Sequence, residues 1–192
     1  MNTFCLSPVD VPGSLYRVQY ADSMTTYDIY EGLEAVDTVT LYDDGGDEQK
    51  EDDTLQDFGD AVEQHLSWDT DYESIFISLF SQRRHAENWM LDRHTRFGSR
   101  NCALLQIDTS ILNGSFIFRA EEIVRELSLS IPEAAQASVA REYLIAHYIP
   151  RRAIIRSQTA DEILAARYPP RPSIPEDVTP PQLIAQLEAM GI

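Results

Sequence analysis

Three side chains able to do chemistry stand where a plain core would carry apolar residues. Glu142 heads the apolar run EYLIAHYI, Ser78 sits at the centre of IFISLFS (75–81), and Arg17 lies within SLYRVQY (14–20). A lone carboxylate entering a buried strand is either a satisfied edge residue or a catalytic group, because structural and functional carboxylates alike occupy perturbed environments. Arg17 likewise reads either as an edge-strand surface charge or as a functional cation. Strand alternation puts Phe76, Ser78 and Phe80 on one face and Glu142, Leu144 and Ala146 on one face of theirs. The carboxylate is therefore expected on the sheet surface that carries Ser78, with Arg17 lining the same cleft.

The motifs that are missing narrow the chemistry. The eight glycines form neither G-x-G-x-x-G nor a Walker A loop, and there is no G-x-S-x-G nucleophile elbow. The histidines at 65, 85, 94 and 147 make neither H-E-x-x-H nor a zinc spacing, so no metal site is expected. Cys5 and Cys102 lack metal-ligand spacing too; a disulfide between them is open, and a reducing compartment is the simpler reading. Arg, Ser, Tyr and Glu remain as candidate groups.

Composition bounds the rest. A chain of 192 residues is one domain, or one domain with a tail, and 43% apolar residues with nine Tyr, seven Phe and two Trp suffice for a core. A net charge of −17 argues against non-specific nucleic-acid binding, which needs a basic surface. There is no apolar run of membrane-spanning length. The start, MNTFCLSPVDVPG, does not resemble a secretory signal, so the expected location is the cytoplasm, with no membrane.

The elements that must position these residues follow in order. Strand 14–20 leads to a loop over 21–41 with at most one short strand. The acidic stretch 43–53, DDGGDEQKEDD, is expected to be a mobile surface loop, with Asp52 and Asp53 capping a helix over 54–66. Strand 75–81 runs straight into a helix over 82–94 whose Arg83, Arg84, His85 and Arg93 form a basic zone, read as a solvated face. Strands at 101–108 and 115–119, a short helix at 121–127 and a helix or structured loop at 131–140 precede a core strand starting at Glu142 and ending at Pro150. A short strand follows at 153–155, and Thr159 opens a helix through Tyr168. Residues 1–168 are read as the domain, with its core at about 14–157. Residues 169–192 are read as a Pro-rich extension with a final amphipathic helix.

The order Arg17, Ser78, Glu142 resembles the mono-ADP-ribosyltransferases of the cholera toxin and heat-labile enterotoxin A-chain type. Leu15-Tyr16-Arg17 looks like that family's L-Y-R strand. Phe76-Ile77-Ser78 and the helix after it look like its serine strand. Glu142 with Ile149-Pro150 and Ile154 resembles its catalytic Glu and following turn. The resemblance implies an α+β fold, an ADP-ribosyltransferase-like split β-sheet core with flanking helices, and NAD as substrate. It implies that Glu142 is catalytic, that Ser78 orients it, and that Arg17 holds the pyrophosphate or braces the pocket. Tyr16, Phe76 and Phe80 would border the bound NAD. The family's Ser-Thr-Ser reads Ser78-Leu79-Phe80 here, and the Glu or Gln that many transferases carry two residues before the catalytic Glu is Ala140. The acceptor is thus open between water and a protein side chain. A catalytically inactive domain of the same fold that binds a partner or ligand, and an unrelated α+β interaction protein, are the competing readings.

Overall fold

The computed structural model describes residues 2–40, 48–68, 71–97 and 102–169. Two compact units divide the chain, Met1–Ala160 and Asp161–Ile192. The first carries β1 (Ser14–Gln19), β2 (Thr26–Asp28), β3 (Gly32–Glu34), α1 (Glu48–Leu66), β4 (Phe76–Phe80), α2 (Arg83–Phe97), β5 (Ala103–Asp108), β6 (Ile117–Arg119), α3 (Ala120–Glu126), α4 (Glu133–Val139), β7 (Glu142–Ala146), β8 (Tyr148–Pro150) and β9 (Ile154–Thr159). Most of α5 (Ala160–Arg167) lies in the second unit, whose remaining sequence-read features, the Pro-rich stretch and the last helix, fall outside the described residues.

The fold is α+β. A six-stranded sheet runs β6-β7-β4-β1-β5-β9 and a three-stranded sheet runs β2-β3-β8, with every ladder antiparallel. Alternation divides the side chains of the large sheet between two cores. Leu15, Ile77, Leu79, Leu105, Ile107, Tyr143 and Ile145 form one. On the other face Phe76, Phe118 and Leu144 meet Phe58, Val62 and Leu66 of α1. Each such side chain contributes about 1.5–3 kcal/mol on burial, which holds α1 and β4 in fixed relation.

Four sequence expectations are corrected. Residues 48–53 are helical, not loop, so α1 starts at Glu48 and Asp52 and Asp53 lie within it rather than capping it; 41–47 are outside the described residues. Glu, Gln and Lys are good helix formers, and acidic residues suit a helix N-terminus. The run from Glu142 to Pro150 is two strands in two sheets, broken at His147, whose φ of 65° turns the chain out of β7. An apolar run does not reveal a sheet switch, because β7 is buried throughout and Ile149 at the centre of β8 is buried as well. The 21–41 stretch holds two short strands. Finally, the short strand expected at 153–155 runs longer, as β9 through Thr159 along β5, and the helix read from Thr159 follows it directly, as α5 from Ala160.

The inner sheet position of β1 matters most for the site. It pairs with β5 at six positions but with β4 only at Tyr16–Phe80. Past that pair the two central strands part, and a polar side chain has room to enter the gap.

Candidate functional site

Arg17 fills that gap. Its Nη1 donates to the Ser78 carbonyl at 3.0 Å, its Nη2 to Ser23 Oγ at 2.8 Å, and its Nε to Gln19 Oε1 at 3.5 Å. The guanidinium thereby replaces the ladder bonds that β1 and β4 do not make. Burial pulls its pKa down, while the charges of Tyr20 and Glu142 push it up.

Ser78 and Glu142 meet by register. Phe76 pairs with Ala146, Ser78 with Leu144 and Phe80 with Glu142, and directly opposed residues share a sheet face. Glu142 is 5% exposed and hydrogen-bonds the Ser78 side chain. Burial raises its pKa above the ordinary carboxylate value, against the opposing effects of Ser78, the Arg17 charge and Ser138. Ser138 Oγ lies 3.4 Å from Glu142 Oε2 and 3.1 Å from the Ala135 carbonyl.

The structure adds His65 to this group. Its Nε2 is 2.7 Å from Ser78 Oγ and its Nδ1 is 2.7 Å from Ser74 Oγ, which in turn accepts from the Phe76 amide at 3.0 Å. One arrangement of protons satisfies the whole chain. The Phe76 N–H donates to Ser74, Ser74 to Nδ1, the Nε2–H to Ser78, and the Ser78 hydroxyl to the ionised Glu142. The ring must be neutral for this, and burial, with the Arg17 charge, lowers its pKa to about 3. The signal was present in the sequence. Phe58, Ala61, Val62, His65 and Leu66 follow the i, i+3, i+4, i+7, i+8 stripe, which places His65 on the buried face of α1. Sequence reasoning weighed His65 only as a metal ligand and so passed over it.

This has a measurable consequence. A histidine whose folded pKa is below its ordinary 6.5 contributes stability that is present above 6.5 and lost as pH falls towards about 3. Between pH 7.5 and 5 the wild type is expected to lose about 2 kcal/mol more stability than His65→Gln, by urea unfolding at each pH. Parallel losses in the two proteins would mean that the ring is not held neutral.

All these groups line one cavity of about 330 Å³, in the size range of a small-molecule site. Arg17, Ser78, Glu142, Phe76, Phe80 and His65 all face it. Tyr16 is not among its lining residues; it lies half-buried between Phe80 and Gln106 in the ladder. Sequence alone did not say which further rings would serve. Trp68 and Val36, both partly exposed, line the cavity together with His65, while Tyr20, Trp89 and Arg93 line it beside Phe80. Leu79 is fully buried in the core, so the Leu-Phe that follows Ser78 is taken up by packing on both faces. Cys5 and Cys102 form no disulfide, and Cys102 is buried. Among the described residues no helix is long and apolar enough to cross a membrane.

A buried carboxylate held by a hydroxyl and faced by a braced cation can stabilise positive charge that develops on a bound molecule. It is preorganised, so it does not have to reorient during reaction. A family profile described as "Domain of unknown function (DUF7587)" matches residues 10–163. No curated protein matches the chain. Among solved structures, a chain titled EcPltA is similar at 13% identity with a TM-score of 0.46, covering 89% of this chain and 99% of that one.

Proposed function

The chain belongs to the DUF7587 family, a domain of unknown function, and we propose that this member cleaves the nicotinamide–ribose bond of NAD, as a mono-ADP-ribosyltransferase or NAD glycohydrolase. The observation that carries this reading is the convergence of Arg17, Ser78 and Glu142 in one cavity from three strands far apart in sequence. Their chain order is also that of the Arg-Ser-Glu transferases. NAD enters as a substrate.

The chemistry suits the groups. As the bond between the ribose anomeric carbon and the nicotinamide nitrogen breaks, its electron pair leaves with nicotinamide, and the ribose becomes oxocarbenium-like. The ionised Glu142 carboxylate stabilises that charge and can accept hydrogen bonds from ribose hydroxyls, as the carboxylates of glycosidases do. Water or a protein side chain then adds to the anomeric carbon and gives up its proton. Ser78 and His65 are positioning residues that fix the carboxylate, and Phe76 and Phe80 supply apolar walls.

Incubation with NAD tests the reading. Nicotinamide released without added protein identifies a glycohydrolase, and release only in the presence of acceptor proteins identifies a transferase. No release under either condition overturns the enzyme reading and favours a binding domain. In that case the packing of Leu79 and Phe80 into the serine strand is where the departure from the family pattern begins.

A further inference from the structure

The helix α4 buries two side chains, Ala135 and Ser138, and only the second is polar. An alanine at 138 would pack there and suit a helix better, as at the neighbouring alanines of EAAQASV. The Ser138 side chain lines the cavity. A tight turn carries it to Glu142. The Arg141 N–H donates to the Ser138 carbonyl at 2.8 Å, and the Arg141 carbonyl accepts from the Ser81 N–H, just past β4, at 2.8 Å. Ser138 Oγ then has two acceptors within reach, the Ala135 carbonyl at 3.1 Å and Glu142 Oε2 at 3.4 Å. A hydroxyl has one proton and serves one of them at a time. Both contacts are longer than the ordinary O–H···O separation of about 2.7–2.8 Å, so neither acceptor has captured the proton. Ser78 is held differently. His65 Nε2 stands 2.7 Å from its Oγ, and with the ring N–H directed there the Ser78 proton is committed to Glu142. The carboxylate has one fixed donor and one that can turn away.

We propose that Ser138 is a positioning residue with a movable proton: its hydroxyl donates to Glu142 Oε2 before substrate binds and turns to the Ala135 carbonyl when a ribose hydroxyl takes that oxygen. The proposal rests on the NAD reading above and deepens it by assigning the carboxylate's second donor. No covalent bond changes; the O–H rotates about the Cβ–Oγ bond of Ser138. A buried carboxylate is costly as an anion, and the first donation helps to keep it ionised. Accordingly Ser138 is among the groups that oppose the rise of the Glu142 pKa on burial. The exchange also serves the reaction. Every donor on the carboxylate draws off part of the charge that faces the developing cation, and a donor that withdraws admits the ribose hydroxyl without adding to that loss.

A pH titration of the Glu142 carboxyl carbon by carbon-13 NMR tests this on the full chain, with Glu142→Gln identifying the signal. Ser138→Ala removes one oxygen from an alanine-rich helix and should keep its fold. Its Glu142 is expected to bind a proton about threefold or more tightly than in the wild type, with the midpoint at higher pH, through loss of one hydrogen bond to the anion. Ser138→Thr, which keeps the hydroxyl, should titrate close to the wild type. The other titratable groups at the site, Arg17, Tyr20 and Asp22 on and after β1, His65 of α1 and Arg93 of α2, are the same in all three proteins. With ADP-ribose bound, the wild-type and Ser138→Ala midpoints are expected to coincide, because the ribose hydroxyl has replaced Ser138 in both. Equal midpoints in the ligand-free proteins would overturn the proposal and leave Ser138 bonded back to its own helix. A difference that persists with ADP-ribose bound would overturn it too, since the proton would not have moved. The two readings fail separately. Nicotinamide release with equal ligand-free midpoints removes this proposal alone, whereas midpoints that differ and then converge on ADP-ribose, without release, remove the enzyme reading alone. A wild type that neither binds ADP-ribose nor releases nicotinamide removes both.

Discussion

Glu142→Gln is expected to fold, to bind NAD, and to lose at least about a hundredfold in nicotinamide release, in line with removing one electrostatic catalytic group. The amide keeps the size of the carboxylate and part of its hydrogen bonding with Ser78, but it has no charge to set against the developing cation. The loss should appear in kcat far more than in KM, because the lost interaction belongs to the transition state. The wild-type pH profile adds a second readout. Burial raises the Glu142 pKa, so the ionised form is lost, and release falls, at a pH above the ordinary carboxylate value of 4.5. Glu142→Gln should lose that acid limb along with the activity. Wild-type turnover in the variant would make Glu142 a satisfied buried acid and nothing more.

The second large effect is expected at Arg17, on stability as well as binding. Arg17→Ala removes the donor to the Ser78 carbonyl where β1 and β4 part, and it leaves the buried Glu142 without its nearby positive charge. The cost should be about 3 kcal/mol or more in urea unfolding at neutral pH. Arg17→Lys keeps the charge, yet one ammonium cannot reach Ser78, Ser23 and Gln19 together, so about 1–2 kcal/mol is still lost. NAD binding should weaken in the same variant through distortion of the gap. Wild-type stability and NAD affinity in Arg17→Lys would mean that a point charge suffices there and the guanidinium fork does not matter.

Local pattern fixed much of the frame. Period-two alternation in FISLF and EYLIA is a property of the backbone, so Ser78 and Glu142 had to emerge on definite faces once each segment became a strand. The stripe on α1 was equally legible, and with it the buried side of that helix. Pattern failed where two outcomes satisfy it alike. Residues 48–53 are acidic enough for a loop and helix-prone enough for α1. The run from Glu142 to Pro150 is apolar whether it forms one strand or two. No periodicity marks His147 as the point where the chain passes from one sheet to the other.

The site shows the same division. Sequence determined the chemistry available: a carboxylate, a hydroxyl and a guanidinium, each seated in an apolar strand, with no metal or nucleophile motif beside them. Tertiary structure decided which of these groups touch. The β4–β7 register set Glu142 against Phe80 and beside Ser78, and the parting of β1 from β4 let Arg17 reach the Ser78 carbonyl. The packing of α1 brought His65 between Ser74 and Ser78, and that of α2 brought Arg93 over Tyr20 and Trp89. The physical reason is one of range. A side chain's face depends on its neighbours one or two residues away, whereas its partners here lie up to 73 residues distant and are chosen by strand pairing and core packing, which no local pattern encodes.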